Sequence, residues 1–444
     1  MSAVGAKSPA SPVERYRAAF DARWHVDKGG DDPLIALRRA ALEQFLSTGF
    51  PTQRQENWKY TSLRRLETRA FGVAETAALD AKQPEWLPHT GTRIVFVNGH
   101  WMPTLSSQHA QPPGVTLLTL KQWLQREPGE VAAYLRDHGH TDGSTLEQLN
   151  LAFFEDGVVV HLADNAILDE PLYIVHHCTP AAAQRMTHPR AMIRAGRNSR
   201  GTVIEHYLGP HEAEYFTNAV TRIDVSAGGA IRHFRVQQES TRSFHIAHVQ
   251  AKLANDSRYT IHDIALGASL GRSDITTLLE GRGAHAGLFG LFTPRGTQHL
   301  DVHTRIDHVA PNTTSEEDYR GIAGGRGRGV FNGKIIVRPD AQKIDSRQSS
   351  RNLLLSPQAE IDTKPELEIY ANDVKCSHGA TTGQLDATAL FYLRSRGLSE
   401  SEARAALIRA FAESILTTID VAPLRTALEK QIDERFTLAN EAKA

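Results

Sequence analysis

The sequence predicts a mainly β chain: a solenoid of strands held between an N-terminal and a C-terminal helical part. Three observations carry this. From about Asp156 the pattern changes from helical spacing to period-two strands, as in GVVVHLA, GTVIEHY, AIRHFRV and GKIIVR. Turn residues recur evenly: Gly201, Gly228, Asp256, Gly283, Pro311 and Pro339 stand 27 or 28 residues apart. A second series falls between them, at Gly209-Pro210-His211, Glu239 to Thr241, Gly267 to Gly271, Pro294 to Gly296 and Gly324 to Gly329. Two turns in each repeat of constant length fit a solenoid with two strands per coil. A sandwich or barrel is the alternative, and it would turn at shorter, less even intervals.

The N-terminal part, residues 1–150, opens on a Ser/Ala/Pro-rich tail, Met1 to Pro12, with no apolar segment. Asp31-Asp32-Pro33 then starts a helix that Gly49 ends. Leu34, Leu37, Ala41, Leu42 and Phe45 form its apolar face. RQENWKYTSLRRL (Arg54 to Leu66) reads as a surface turn with Trp58 packed on that helix. RIVFVNGHW (Arg93 to Trp101) reads as a strand and turn. Residues 115–152 read as helical, with Trp123, Leu124, Val131, Ala132, Tyr134 and Leu135 as core.

In the middle part, residues 151–382, apolar side chains are expected to fill the inner file of each strand. The outer file of His, Arg, Asp and Thr is expected to face water. The C-terminal part, residues 383–444, reads as three helices. Asp386 caps the first, and Gly397 follows it. Ser399 and Glu402 form a capping box for the second, whose stripe is Ala403, Leu407, Phe411 and Ile415. Pro423 opens the third, with Leu424, Leu428, Ile432 and Phe436 as its core. So small a module leans on something else, either as an end cap or as a docking surface.

Composition excludes several functions. A net charge of −1 provides no field for nucleic acid or an anionic membrane. No apolar run is long enough to span a bilayer. Two cysteines among 444 residues build neither a disulfide scaffold nor a four-cysteine zinc site, and suit a reducing cytoplasm. Histidine is abundant, 21 in all, with 15 between His161 and His378.

Five motifs invite chemistry. His299, Asp301 and His303 share one strand face and match the two-His, one-carboxylate pattern of a non-haem iron site. The alternation continues through Arg305 and Asp307, which favours a solvated outer face. His176-His177-Cys178 is better read as a buried Cys beside a Pro turn than as a metal site. A Walker motif ending at Gly333-Lys334 fails, because Arg328 and Ile335 stand where Gly and Ser or Thr are needed. Gly267-Ala-Ser269-Leu-Gly271 matches a nucleophile elbow as a string, but a strand follows it where a helix is required. Cys376 and His378 are two apart, so on a strand they face the same side, with Lys375 facing the other. A His beside a thiol can lower its pKa or join it as a soft metal ligand, and such a pair suits half of a site that a second subunit completes. The carboxylates Asp345, Glu360, Asp362, Glu366 and Glu368 precede that pair with no spacing that defines a catalytic dyad.

The segment VFNGKIIVRPDAQKIDSRQSSRNLLLSPQAEIDTKPELEIYANDVKCSHGATTGQLDATALFYLRSRGL, Val330 to Leu398, resembles the SufB/SufD family of iron–sulfur cluster assembly proteins. TRIDHVAPNTTS and RQENWKYTSL extend the resemblance over most of the chain. ENWKYTSL, the length and the low cysteine count are similar to SufD-type members rather than SufB-type ones. The resemblance implies a right-handed parallel β-helix flanked by N- and C-terminal α-helical domains. It implies a scaffold subunit, itself not an enzyme, that pairs with a SufB-like paralogue and docks a SufC-like ABC-type ATPase. ATP then enters only through that ATPase. The docking element corresponds to Leu390, Tyr392, Leu393, Arg394, Arg396, Gly397 and the helix that follows. The nascent iron–sulfur cluster forms transiently at the interface with the SufB-like chain, where His378 holds the matching position with Cys376 beside it. No firmly bound cofactor or metal is implied for the chain alone. The resemblance leaves room for a homodimer when no partner is present. Two alternatives stay open: a SufB-type paralogue that holds the cluster itself, and a metal-dependent β-fold enzyme using His299, Asp301 and His303.

Overall fold

From residue 157 onward the long strands alternate between two parallel sheets, and a short strand, Arg185–Thr187, joins the first sheet between Gly72–Val73 and Phe216–Val225. The computed structural model describes residues 13–24, 33–79, 86–89, 91–107, 111–137 and 144–441. The first sheet takes Gly157–Leu162, Arg190–Ala195, Phe216–Val225, Phe244–Leu253, Leu270–Leu279, His299–His308, Arg328–Val337 and Glu360–Ile369. The second takes Leu172–His177, Arg200–Leu208, Ala230–Gln238, Arg258–Ala265, His285–Phe292, Thr314–Ala323, Ile344–Leu354 and Val374–Gln384. The result is a parallel β-helix of about eight coils. Successive coils stack in register, with Phe216 opposite Phe244 and Asp301 opposite Val330.

Backbone conformation explains the recurrent turns, though the corners stand 27 to 31 residues apart rather than evenly. One corner of each coil holds a residue at positive φ: Asn198, Gly228, Asp256, Gly283, Asn312 and Lys343. Gly, Asn and Asp tolerate that conformation best, which is why such residues recur there. The corners are also stitched together. Asn198 N–H donates to the Ala227 carbonyl at 3.0 Å, and Asp256 N–H to that of Arg282 at 2.8 Å. Three of the expected series are displaced: Gly201 lies inside a strand with Asn198 at the corner, and Asn312 and Lys343 make the corners expected at Pro311 and Pro339. Ser269 is buried in a corner that leads into Leu270–Leu279, so no nucleophile elbow forms.

The N-terminal part covers the first coil and one face of the first sheet. Helix α1 is Glu14–Arg23 and α2 is Pro33–Thr48. Gly49 stops α2 at φ +72°, as expected, while the Asp31-Asp32 cap and the Met1 to Pro12 tail lie outside the described residues. A short helix α3, Arg64–Glu67, follows. Arg93–Val97 and His100–Trp101 form a hairpin whose turn residues, Asn98 and Gly99, both have positive φ. Arg93–Val97 then joins the second sheet beside Leu172–His177. Val115–Thr119, expected to be helical, is a strand that pairs with Gly157–Leu162. Its local preference is weak, and the free edge of the first coil gives it a partner. Thr119 begins α4, Leu120–Arg126, through a capping box with Gln122, and α5 (Pro128–Asp137) and α6 (Thr145–Phe153) follow.

The C-terminal part packs on the opposite face. It comprises α7 (Ala387–Ser395), α8 (Glu400–Leu416) and α9 (Ala422–Glu441). Asp386 caps α7, and Ser399 with Glu402 forms the expected box on α8. The buried stripe of α8 runs through Ala403, Ile408, Ala412, Ile415 and Leu416, so Leu407 and Phe411 are only half-buried. In α9, Leu424, Leu428, Ile432 and Phe436 are buried as expected.

The expected water-facing file is overturned. Outward-facing His206 is 0% exposed and Asp301 2%. A parallel sheet is normally covered on both faces. The outward residues Phe216, Phe244 and Leu270 join one apolar cluster with Trp58 and Leu146 of the N-terminal part. Outward Ile204, Phe234 and Ile264 pack with Ile408, Ile415 and Leu428 of the C-terminal part. Other polar residues point inward and pair there. His233 meets Glu205 at 2.9 Å, and Arg235 donates to Asp263 at 2.7 Å.

The interior leaves no spare room at its glycines. A Cβ on Gly290 would lie 2.0 Å from the ring of Tyr319, which is fully buried. Gly290→Ala is therefore expected to cost about 2 kcal/mol through overpacking, read as a lower midpoint of chemical denaturation.

Candidate functional site

The last coil is where the β-helix stops without a cover. Val374–Gln384 pairs with Ile344–Leu354 on one side, and among the described residues nothing pairs with its other edge. Its side chains are almost all exposed. The ladder sets Cys376 opposite Ser346 and His378 opposite Gln348. Ser346 and Gln348 are buried in the interior, so Cys376 and His378 occupy the inward-facing file at the open mouth. Cys376 packs against the inner core, whereas His378 is exposed. Partial burial, with the Asp345 carboxylate nearby, pushes the Cys376 thiol up. Lys375 takes the opposite file, opposite Asp345.

One coil beneath His378, Gln348 donates to Glu317 at 2.6 Å. Burial pushes the Glu317 carboxyl up to about 7 despite that bond. Sequence reading missed this acid. Its only signal was register, which needs the coil lengths.

Helix α7 begins two residues after the edge strand and has no buried residue. Phe391 is 72% exposed and Tyr392 56%. Leu390 and Leu393 are half-buried, Arg394, Arg396 and Gly397 are exposed, and the Arg396 guanidinium lies 5.1 Å from the Tyr392 ring. Phe391, absent from the expected docking set, is the most exposed large apolar side chain of the group. Surface aromatics gathered in this way mark interaction sites.

The His299, Asp301 and His303 face is structural. Arg272 donates to Asp301 at 2.7 Å and lies 3.2 Å from His303 Nε2. Thr61 donates to Asp301 at 2.6 Å and meets His299 at 2.8 Å. Arg272 also donates to the Asn57 carbonyl and stacks on Trp58, 3.8 Å from its centroid. Arg54 to Leu66 is thus a clamp on the β-helix rather than a surface turn. Burial alone would raise the Asp301 carboxyl, but His303 and Arg272 together hold it well below the usual carboxylate range. A guanidinium stands where an iron ion would, and no group of three His, Cys, Asp or Glu suited to a metal occurs among the described residues.

The remaining motifs resolve in the same way. Cys178 is buried beside the Pro180–Ala182 turn, as expected, and burial raises its thiol. His176 is stacked between Phe96 and Tyr207. The acidic cluster is paired: Asp362 with Arg328, and Glu366 and Glu368 with Lys334.

The class of protein this fold defines is a two-sheet parallel β-helix with a helical part on the outer face of each sheet and an uncovered final coil. Residues 13–174 match the family described as the SufBD protein N-terminal region, and residues 177–411 match the SufBD core domain of the SUF iron–sulfur cluster assembly system. The chain belongs to the SufB/SufD family. It is 32% identical to the iron–sulfur cluster assembly protein SufD of Escherichia coli, over 89% of this chain and 91% of that one. A SufBD family protein of Synechocystis is 33% identical over 95% of this chain and 96% of its own. The chloroplastic protein ABCI7 of Arabidopsis thaliana is 25% identical, over 86% and 82%. Within the family the chain is SufD-like.

Two substitutions test the electrostatics. Arg272→Met leaves Asp301 buried and short of the guanidinium that bonds it, and is expected to cost about 3–5 kcal/mol in denaturant melts. Glu317 has a folded value of about 7 against an ordinary 4.5. Between those values the folded chain holds a proton that the unfolded chain has released, so stability falls as pH rises through the window. Glu317→Gln removes this penalty. The variant is expected to be more stable than the parent at pH 8, by on the order of 3 kcal/mol, with the gain gone by pH 4.

Proposed function

We propose that the chain is a non-ATPase scaffold subunit in iron–sulfur cluster assembly, which pairs with a SufB-type paralogue and docks a SufC-type ATPase in the cytoplasm. The observation that carries this is the uncovered coil. Glu360–Ile369 and Val374–Gln384 present free edges on both sheets, and free edges of this length seek a strand partner. A β-helix of the same family has edges to match them. Cys376 and His378 stand at that mouth, so pairing brings a partner's thiolates beside them. The nascent cluster is the cargo of this interface, and the cysteines of the paralogue supply most of the sulfur ligation.

Exposed aromatics on α7 suit the ATPase. ATP belongs to that subunit, in keeping with the failed Walker motif at Gly333-Lys334. Helix α8 packs on the second sheet while α7 adjoins the edge strand. Closure of an ATPase pair on α7 would therefore pull on the strand that bears Cys376 and His378. In this scheme the chain modulates a partner's turnover and has none of its own. No helix among the described residues is long and apolar enough to cross a membrane.

Co-expression with SufB-type and SufC-type chains tests the assembly. A complex containing all three is expected, and failure to co-purify would overturn the reading. Phe391→Asp is expected to release the ATPase while the paralogue stays bound. His378→Ala is expected to leave the complex intact and to abolish most cluster formation, followed by the visible absorbance of the cluster.

A further inference from the structure

The seam between α9 and the β-helix gathers two arginines and no acid. Arg435 of α9 donates from Nη2 to the Thr293 carbonyl at 2.7 Å and to Gln298 Oε1 at 2.9 Å. Arg295, on the corner between those two residues, reaches back. Its Nη1 donates to the Arg435 carbonyl, and its guanidinium lies 5.8 Å from the centre of the Phe436 ring. Every acceptor these two guanidiniums meet is neutral. The acids next to Arg435 in sequence are committed elsewhere: Asp433 pairs with Arg409, and Glu434 with Lys430.

Burial pushes the Arg435 guanidinium down to about 9, and the charge of Arg295 adds to that shift. Burial lowers Arg295 as well. No carboxylate among the described residues offsets either effect. Guanidiniums buried on the first sheet are held differently: Arg222 meets Glu147, and Arg272 meets Asp301. A charge taken out of water with no opposite charge is costly, and a like charge beside it adds repulsion.

Donors are left over too. Arg435 Nε is buried and has no hydrogen-bond partner among the described residues, and the same holds for the hydroxyl of fully buried Thr293. The corner is open on its solvent side. Gly296 is exposed and turns the chain at φ +57°, where an added Cβ would touch nothing within 4 Å. One coil further on, Arg326 is exposed, and its N–H donates to the Gly296 carbonyl at 2.8 Å. It stands in the Gly-rich turn Gly324 to Gly329.

We infer that this corner is an oxyanion site, where Arg295 and Arg435, with Arg326 beside them, take up a phosphate group. A guanidinium presents its N–H donors as a planar fork that suits two oxygens of a phosphate at once. The leftover Arg435 Nε–H and Thr293 hydroxyl are further donors at the same place. A bound dianion turns a like-charge contact into two ion pairs, and so fastens α9 to the β-helix. The phosphate is the free ion or the end group of a nucleotide, since one chemistry serves both. The site needs no partner chain and stands apart from the assembly reading.

The test is equilibrium dialysis of the full chain against radiolabelled inorganic phosphate, at neutral pH and constant ionic strength. One phosphate per chain is expected. Arg295→Gln is expected to weaken binding about tenfold, the loss of one charge-assisted contact. Arg326→Gln is expected to weaken it less, and Arg435→Gln to abolish it. Should Arg435→Gln fail to fold, the other two variants carry the test. Phosphate is also expected to raise the thermal midpoint of the parent more than that of Arg295→Gln, a difference that a general salt effect does not produce. No binding by the parent overturns the proposal. Binding that neither Arg295→Gln nor Arg326→Gln changes places the ion elsewhere on the chain and overturns it equally. Competition separates the two sources. AMP that displaces the label at lower concentration than unlabelled phosphate identifies a nucleotide, and displacement by phosphate alone identifies the free ion.

Discussion

The structure depends on one requirement: every strand of a parallel sheet needs a neighbour on each edge and a cover on each face. Each coil meets the edge requirement for the next, which is why the ladders run in register from the first coil to the last. The faces are met by the helical parts, α1 to α6 on one sheet and α8 with α9 on the other. The first coil is closed by Arg93–Val97 and Val115–Thr119. Among the described residues only the last coil is left open. The exposed edge coincides with the residues proposed for function, and an unpaired strand edge is a template for pairing with another chain.

The interior is unusual for a core of this kind. Apolar residues fill the tube, yet Glu205, His233, Arg235 and Asp263 lie within it at 2% exposure or less. Charges so deep are costly unless paired. Here they are paired across coils. Burial alone would raise the Glu205 carboxyl, but His233 and Arg235 bring it down to about 2. Such a network adds little net stability compared with an apolar filling, but a shifted register would separate its members. It ties polar side chains of three successive coils to one alignment.

The same logic explains the N-terminal clamp. Arg272 reaches Asp301, Asp274, the Asn57 carbonyl and the Trp58 ring at once. A guanidinium can do this because its donors lie in a plane while its face stays free to stack. The ENWKYTSL string is thus a seam between the N-terminal part and the β-helix. Its mixture of aromatic and polar residues suits a contact that must satisfy a charged strand face and exclude water together.

Much was legible in the sequence because it is local. Alternation marked the strands, Gly228, Asp256 and Gly283 marked three of the corners, and a capping box marked α8. The pairing of Cys376 and His378 on one file followed from a spacing of two. Burial was not legible, because it depends on what lies on the far side of a strand. His299, Asp301 and His303 alternate like a solvated face, and only the docked Thr61 and the stacked Arg272 make that face an interior. Val115–Thr119 has no strong local preference, and the free edge of Gly157–Leu162 decided its state. Arg295 and Arg435 meet only because α9 docks on that corner. The sequence by itself determined the repeat, the corners at Gly228, Asp256 and Gly283, and the spacing that sets Cys376 and His378 on one file. Tertiary structure decided which polar side chains face water, because that depends on contacts between segments hundreds of residues apart.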